Sequence, residues 1–183
     1  VTDRDGAVMA PTDFDFNAST GELLQEDFED GDSLGWTIVD QAPSVSSEWR
    51  IEDGRLRQFV NSGSGDTPAT RLGTVAVWDT PEAYDWTDYV VTFTVNSDDD
   101  DGVGILFRYA DEDNYYKLEM DRQHRYARLF RVAAGVVTEL AYDWTSQPYS
   151  HGNDTTLTIR VVGGTIEVFE DNRYAFFTTP TVD

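Results

Sequence analysis

Two carboxylates one residue apart, Glu119 and Asp121, follow the run Tyr115-Tyr116-Lys117. Side chains alternate across a β-strand, so Tyr115, Lys117, Glu119 and Asp121 share one face and Tyr116, Leu118 and Met120 the other. The preceding stretch divides the same way: Val103, Ile105, Phe107 and Tyr109 on one face, Gly104, Leu106 and Arg108 on the other. The hairpin therefore has an apolar face for a core. Its other face offers Arg108, Tyr115, Lys117 and Glu119, and Arg128 joins from the next strand. Apolar rings with a few convergent polar groups suit a saccharide. Arginine and lysine on a very acidic protein suit an anionic one, such as a uronate or a sulfated glycan. The same residues equally describe a solvated sheet face with cross-strand ion pairs, and both readings stand at this stage.

Two acidic clusters could hold a hard cation through several oxygen ligands. One comprises Glu26, Asp27, Glu29, Asp30 and Asp32; the other is the run Asp98 to Asp101, with Asp98 and Asp100 as its candidate ligands. Neither has the spaced acids of an EF-hand loop, and a solvated acidic loop is the plain alternative for each. His124 and His151 both fall in expected turns, where a histidine is usually solvated. No nucleophile elbow, phosphate loop or metalloprotease helix motif occurs. Of the tryptophans, Trp36 and Trp49 sit in strand patterns and are expected in the core. Trp78, Trp86 and Trp144 lie near loops and are candidates for ligand contact.

The elements that must carry these groups are short strands punctuated by turns. Strands are expected at Trp36 to Val39, Glu48 to Ile51, Arg55 to Val60, Thr74 to Trp78, Tyr89 to Val95 and Gly102 to Tyr109. Others are expected at Tyr115 to Asp121, Tyr126 to Val132, Val136 to Tyr142, Thr155 to Val162, Thr165 to Glu170 and Tyr174 to Thr178. Asp53-Gly54, Ala134-Gly135 and Gly163-Gly164 supply tight-turn chemistry, and Glu170 to Arg173 is expected to turn as well. No stretch has a helical apolar period. Many short strands at regular spacing mean an all-β sandwich or barrel. At 183 residues one sizeable domain fits and two would be cramped. Residues 1–21 are patternless and acidic and read as a linker or N-terminal arm; residues 22–183 read as the domain.

There are 35 acidic residues against 13 basic ones, a formal charge of −22. That field repels nucleic acid and anionic membranes and attracts cations. Calcium, a salty habitat and plain solubility all accommodate it. The absence of cysteine excludes a disulfide framework, a thiolate nucleophile and cysteine-rich zinc sites. No apolar run is long enough to span a bilayer.

The order EDFEDGDSLGWTIVD, SEWRIEDGRLRQ, YVVTFTVNSDDDDGVGILFRYADEDNYYKLEMD, YARLFRVAAGVVTELA, TLTIRVVGGTIEVFEDN resembles the concanavalin A-like (laminin-G-like) jelly-roll modules appended to bacterial secreted proteins. The thrombospondin C-terminal domain and some carbohydrate-binding modules look similar. The resemblance covers about Leu23 to Asp183. It implies a β-sandwich of two antiparallel sheets in a non-catalytic glycan-binding or adhesion module, secreted or displayed at the cell surface. It also implies structural calcium near the opening acidic segment, with Asp27 and Asp30 as ligands. Such modules usually end in a further strand beside the opening one. The chain given stops at Asp183 before such a strand; either that segment is missing, or another chain supplies it, or the N-terminal arm fills the slot. A structural or assembly domain without a sugar ligand is the rival. Jelly-roll glucanases carry a third acid after the first two, where this chain has Gln123 and His124, and the glycine-asparagine pattern around a lyase tyrosine is absent. Both departures disfavour an enzyme.

Overall fold

The computed structural model describes residues 23–41, 46–60, 63, 72–143, 148–170 and 173–178. The expected arm at 1–21, most of the loop after Val60, Trp144, the turn at 171–172 and the segment after Thr178 lie outside the described residues. Twelve strands follow in order: β1 Trp36–Asp40, β2 Trp49–Ile51, β3 Leu56–Gln58, β4 Thr74–Trp78, β5 Tyr89–Val95, β6 Gly102–Asp111, β7 Asn114–Asp121, β8 Tyr126–Ala133, β9 Val136–Asp143, β10 Thr155–Val162, β11 Thr165–Glu170 and β12 Arg173–Thr178. A single 3-10 turn, Ala83–Asp85, separates β4 from β5. Every expected strand is present, with ends displaced by a residue or two.

Two antiparallel four-stranded sheets make the sandwich. One is the meander β6-β7-β8-β9; the other has the order β12-β11-β10-β5. The meander is closed by tight turns. Ala134 (φ 49°) and Gly135 (φ 73°) both take left-handed backbone between β8 and β9, which a two-residue hairpin requires. The second sheet is built across the meander, because β5 pairs with β10, placing Thr92 opposite Thr158. Two ribbons, β1–β4 and β2–β3, lie outside these sheets.

The core lies between the sheets. Phe107, Leu118, Met120, Ala127 and Leu129 of the meander meet Leu157, Ile159, Val161, Ile166 and Val168 of the other sheet. Alternation explains the set, since these are the inward positions of β6, β7, β8, β10 and β11. Trp36 is half-buried and packs edge-on against Trp78 of β4, ring centroids 5.4 Å apart.

Alternation fails in β6. Between Phe107 and Asp111 the register with β7 shifts, and Arg108 adopts a left-handed φ of 47°. An inserted residue of this kind bends a strand and re-aims its side chains. Arg108 is thereby removed from the face on which simple alternation places it. Its backbone N–H donates to the Tyr89 hydroxyl (2.7 Å), and its guanidinium reaches the carbonyls of Thr87 (2.7 Å) and Gly163 (2.9 Å) and the carboxylate of Asp88 (3.2 Å). Tyr109 correspondingly stacks on Tyr115, centroids 5.9 Å apart, rather than joining Phe107.

Candidate functional site

The outer face of the meander is neither open nor simply solvated. Tyr115, Glu119, Tyr126, Phe130 and Val132 are buried there, as is Asp121 at 0% exposure. The strand register assembles them: Glu119 opposes Arg128, Lys117 opposes Phe130, and Arg128 opposes Tyr142. Lys117, the only lysine of the chain, pairs with Glu119 at 2.6 Å and sits 5.2 Å above the Phe130 ring. The Tyr126 hydroxyl donates to the other Glu119 oxygen at 2.5 Å. The Arg128 guanidinium lies 4.6 Å from the Tyr126 ring and 4.3 Å from the Tyr142 ring, and donates to Glu139 at 2.8 Å.

Of the five residues expected to bind ligand, Tyr115, Lys117, Glu119 and Arg128 thus fall within one layer, whereas Arg108 is held at the end of the sandwich. Sequence reasoning missed Tyr126, Tyr142 and Glu139. Tyr142 stands opposite Arg128 only because of a register shift between Leu129 and Phe130, which strict alternation does not anticipate. Tyr115, Glu119 and Tyr126 are too buried to meet a macromolecular ligand; they support. At the margin of the layer lie Arg128, Tyr142 and Glu139: Glu139 is exposed, and Arg128 and Tyr142 are half-buried, as Lys117 is. Burying charge is tolerable here because each cation has a carboxylate and also lies against an aromatic ring. Lys117 and Arg128 offset Glu119 and Glu139, and Asp121 adds a third acid beside His124.

Glu119 and Asp121 do share a face, but their oxygens are already engaged. Asp121 accepts from the His124 backbone N–H at 2.7 Å, and both its oxygens lie 3.0 Å from His124 Nδ1.

The run Asp98 to Asp101 forms the loop between β5 and β6. Asp99, Asp100 and Asp101 each bring one carboxylate oxygen within 4.8 Å of the others, the one such acidic group among the described residues. Asp98 stands apart, beside Gly152. The Tyr149 hydroxyl holds the loop from below, donating between the carbonyls of Asp99 (2.9 Å) and Asp101 (2.8 Å). Burial first, then the charges of Asp121, Asp99 and Asp100, push this phenol up to about 12, against a hydrogen bond with Ser97. The opening acidic segment is arranged otherwise. Asp27 accepts from the Glu29 N–H and Asp30 from the Asp32 N–H, both at 3.1 Å, so each carboxylate caps its own local turn.

A concavity lies between the β1–β4 ribbon, the 3-10 turn and the β6–β7 turn. It has a volume of about 570 Å³, and its lining includes Val39, Val77, Tyr84, Tyr109 and several acids.

No protein-family model matches the chain, and no curated protein matches it. Among solved structures, the carbohydrate-binding module CBM66 of Bacillus subtilis is similar, with a TM-score of 0.58 over 81% of each chain at 16% identity. The likeness supports the β-sandwich architecture described above.

Proposed function

We propose that this domain is a non-catalytic carbohydrate-binding module of the concanavalin A-like jelly-roll kind, carried by a secreted or cell-surface protein. The observation that carries the reading is the margin Arg128-Tyr142-Glu139. It offers an aromatic ring, a guanidinium and a carboxylate in fixed register, backed by buried Tyr126 and Glu119. A sugar ring can lie on Tyr142 while its hydroxyls exchange hydrogen bonds with the charged pair. The resemblance in fold to a carbohydrate-binding module adds support. Because Arg128 already holds Glu139, an anionic sugar would have to displace that carboxylate, which favours an uncharged saccharide over the uronate suggested by composition. The engaged state of Glu119 and Asp121 supports the non-catalytic part. A proton shuttle needs a group that reaches substrate, and Asp121 is fully buried.

Calcium belongs to the same proposal, at Asp99, Asp100 and Asp101 rather than at Asp98, Asp27 and Asp30. Three convergent carboxylate oxygens on a loop braced by Tyr149 fit a hard cation's donor set. Its role would be to fix the loop.

Glycan-array screening followed by calorimetry tests the function. Binding of a neutral oligosaccharide, weakened at least about tenfold by Arg128→Ala or Tyr142→Ala, is expected if these groups form the site's centre. A folded protein that binds no glycan would sink the reading and leave the assembly domain. Turnover of a polysaccharide that disappears in Glu119→Gln would overturn the non-catalytic assignment. For calcium, a melting temperature unchanged by a chelator would count against the site, since a ligand bound by the native state alone must stabilise it.

A further inference from the structure

The concavity beside the β6–β7 turn has a composition unlike that of the sheet face. Its polar lining is Asp79, Asp111, Glu112 and Asp113 with the phenols of Tyr84 and Tyr109, and among the described residues it contains no arginine, lysine or histidine. Arg108, next in sequence to this lining, is turned away to Thr87, Asp88 and Gly163. The bulge that withdraws Arg108 therefore leaves the acids of the groove uncompensated on that side. Two of the four acids are held in place. Asp79 accepts from the Tyr84 hydroxyl (2.7 Å) and from Thr37 (3.1 Å), and Asp111 accepts from the Asp113 backbone N–H and the Asn114 amide, both at 2.8 Å. Tyr109 is braced by its stack on Tyr115. The negative field is felt locally: burial first, then Glu112, Tyr84 and Asp111, disfavour ionisation of the Tyr109 phenol.

We propose that this groove is a second saccharide site, selective for sugars bearing a protonated amine. Its volume is that of a small-ligand pocket, which spans roughly 300 to 1,000 Å³. Two phenols and two valines offer the rings and apolar surface on which a pyranose packs. The carboxylates can accept from hydroxyls and from an ammonium, and a charge-assisted bond is stronger than a neutral one. A uronate would meet only like charge. The inference extends the saccharide-binding reading but uses none of the residues at the Arg128 margin, so either site can fail while the other stands.

The test is calorimetric titration of the whole chain, in chelator, with glucosamine oligomers, their N-acetylated counterparts of equal length, and tetralysine. Preferential binding of the free-amine oligomer is expected, weakened about three- to tenfold in the double variant Asp79→Asn, Glu112→Gln. Binding should persist in Asp53→Asn, which removes an exposed charge elsewhere. Melting curves of each variant check that folding is retained; Glu112→Gln alone, on an exposed turn, serves should the double variant melt early. Equal binding of the acetylated oligomers would overturn the amine selectivity. Equal losses in Asp53→Asn and in the groove variants would reduce the effect to the net charge of the protein. Tetralysine binding as tightly, with the same dependence on Asp79 and Glu112, would show that charge alone is read and overturn the saccharide assignment.

Discussion

Along β10, buried and more exposed residues alternate from Thr155 to Val162, whereas along β7 and β8 buried residues occupy both faces. The outer face of the β10 sheet carries Thr92 and Thr158 in mutual hydrogen bond (2.9 Å), Thr94 with Thr156 (3.2 Å), and the Arg160–Glu167 ion pair. These are ordinary cross-strand contacts of a partly solvated face. The corresponding face of the meander holds Phe130 and Tyr126 at about the burial of the central core. The two sheets thus share one inner core, but among the described residues only the meander has a second packed layer on its back. A sheet buried on both faces loses its clean alternation. The tyrosines and paired charges there are accordingly packed among fixed neighbours.

The largest test of this contrast is Phe130→Ala. If the meander's outer layer is a true packing layer, the substitution costs about 3 to 5 kcal/mol in urea unfolding, comparable to Leu129→Ala in the inner core. A loss below about 1 kcal/mol would reduce the layer to surface decoration. Next comes Tyr126→Phe, which deletes the hydroxyl donated to buried Glu119. It should destabilise by about 1.5 to 3 kcal/mol, the range for a hydrogen bond to a charged group. A neutral outcome would mean that Lys117 alone satisfies the carboxylate. A third test uses pH. The Tyr149 phenol is raised from 10.0 to about 12 in the folded protein, so the native state holds that proton more tightly than the unfolded chain. Its stabilisation is complete below pH 10 and is lost as pH rises from there through about 12. Tyr149→Phe should remove this component from the alkaline limb, and an unaltered limb would contradict it. The smallest effect belongs to the other sheet: Thr158→Ala should shift stability by about 0.5 kcal/mol or less, and a loss as large as that of Phe130→Ala would erase the distinction between the two faces.

The strand order and the turns at Asp53-Gly54 and Ala134-Gly135 could be read from local pattern, because period-two alternation and left-handed turn residues are local properties. So could the inward set Leu118, Met120, Leu129 and Ile159. The grouping of Tyr115, Lys117, Glu119 and Arg128 followed from the same alternation. What alternation cannot convey is where it breaks. The bulge at Arg108 depends on partners at Thr87, Asp88 and Gly163, up to 55 residues away, and the shift after Leu129 decides whether Tyr142 or a neighbour reaches Arg128. Burial of the outer layer was likewise hidden, because tyrosine, lysine and glutamate in alternation look the same in water as in a satisfied polar layer. The acidic run was visible as a run. Its bracing could not be seen, because the carbonyls of Asp99 and Asp101 are held by a tyrosine 50 and 48 residues downstream.

The pairing of β5 with β10 has a consequence in time. The Thr92–Thr158 contact spans 66 residues, whereas β6 to β9 pair only with their immediate successors. Contacts between sequence neighbours close quickly and distant ones slowly. As the chain leaves the ribosome, the meander can therefore assemble first, while β5 waits with an unpaired edge and its apolar Val91, Phe93 and Val95 uncovered until β10 arrives. This interval is the chain's period of greatest exposure to misassociation.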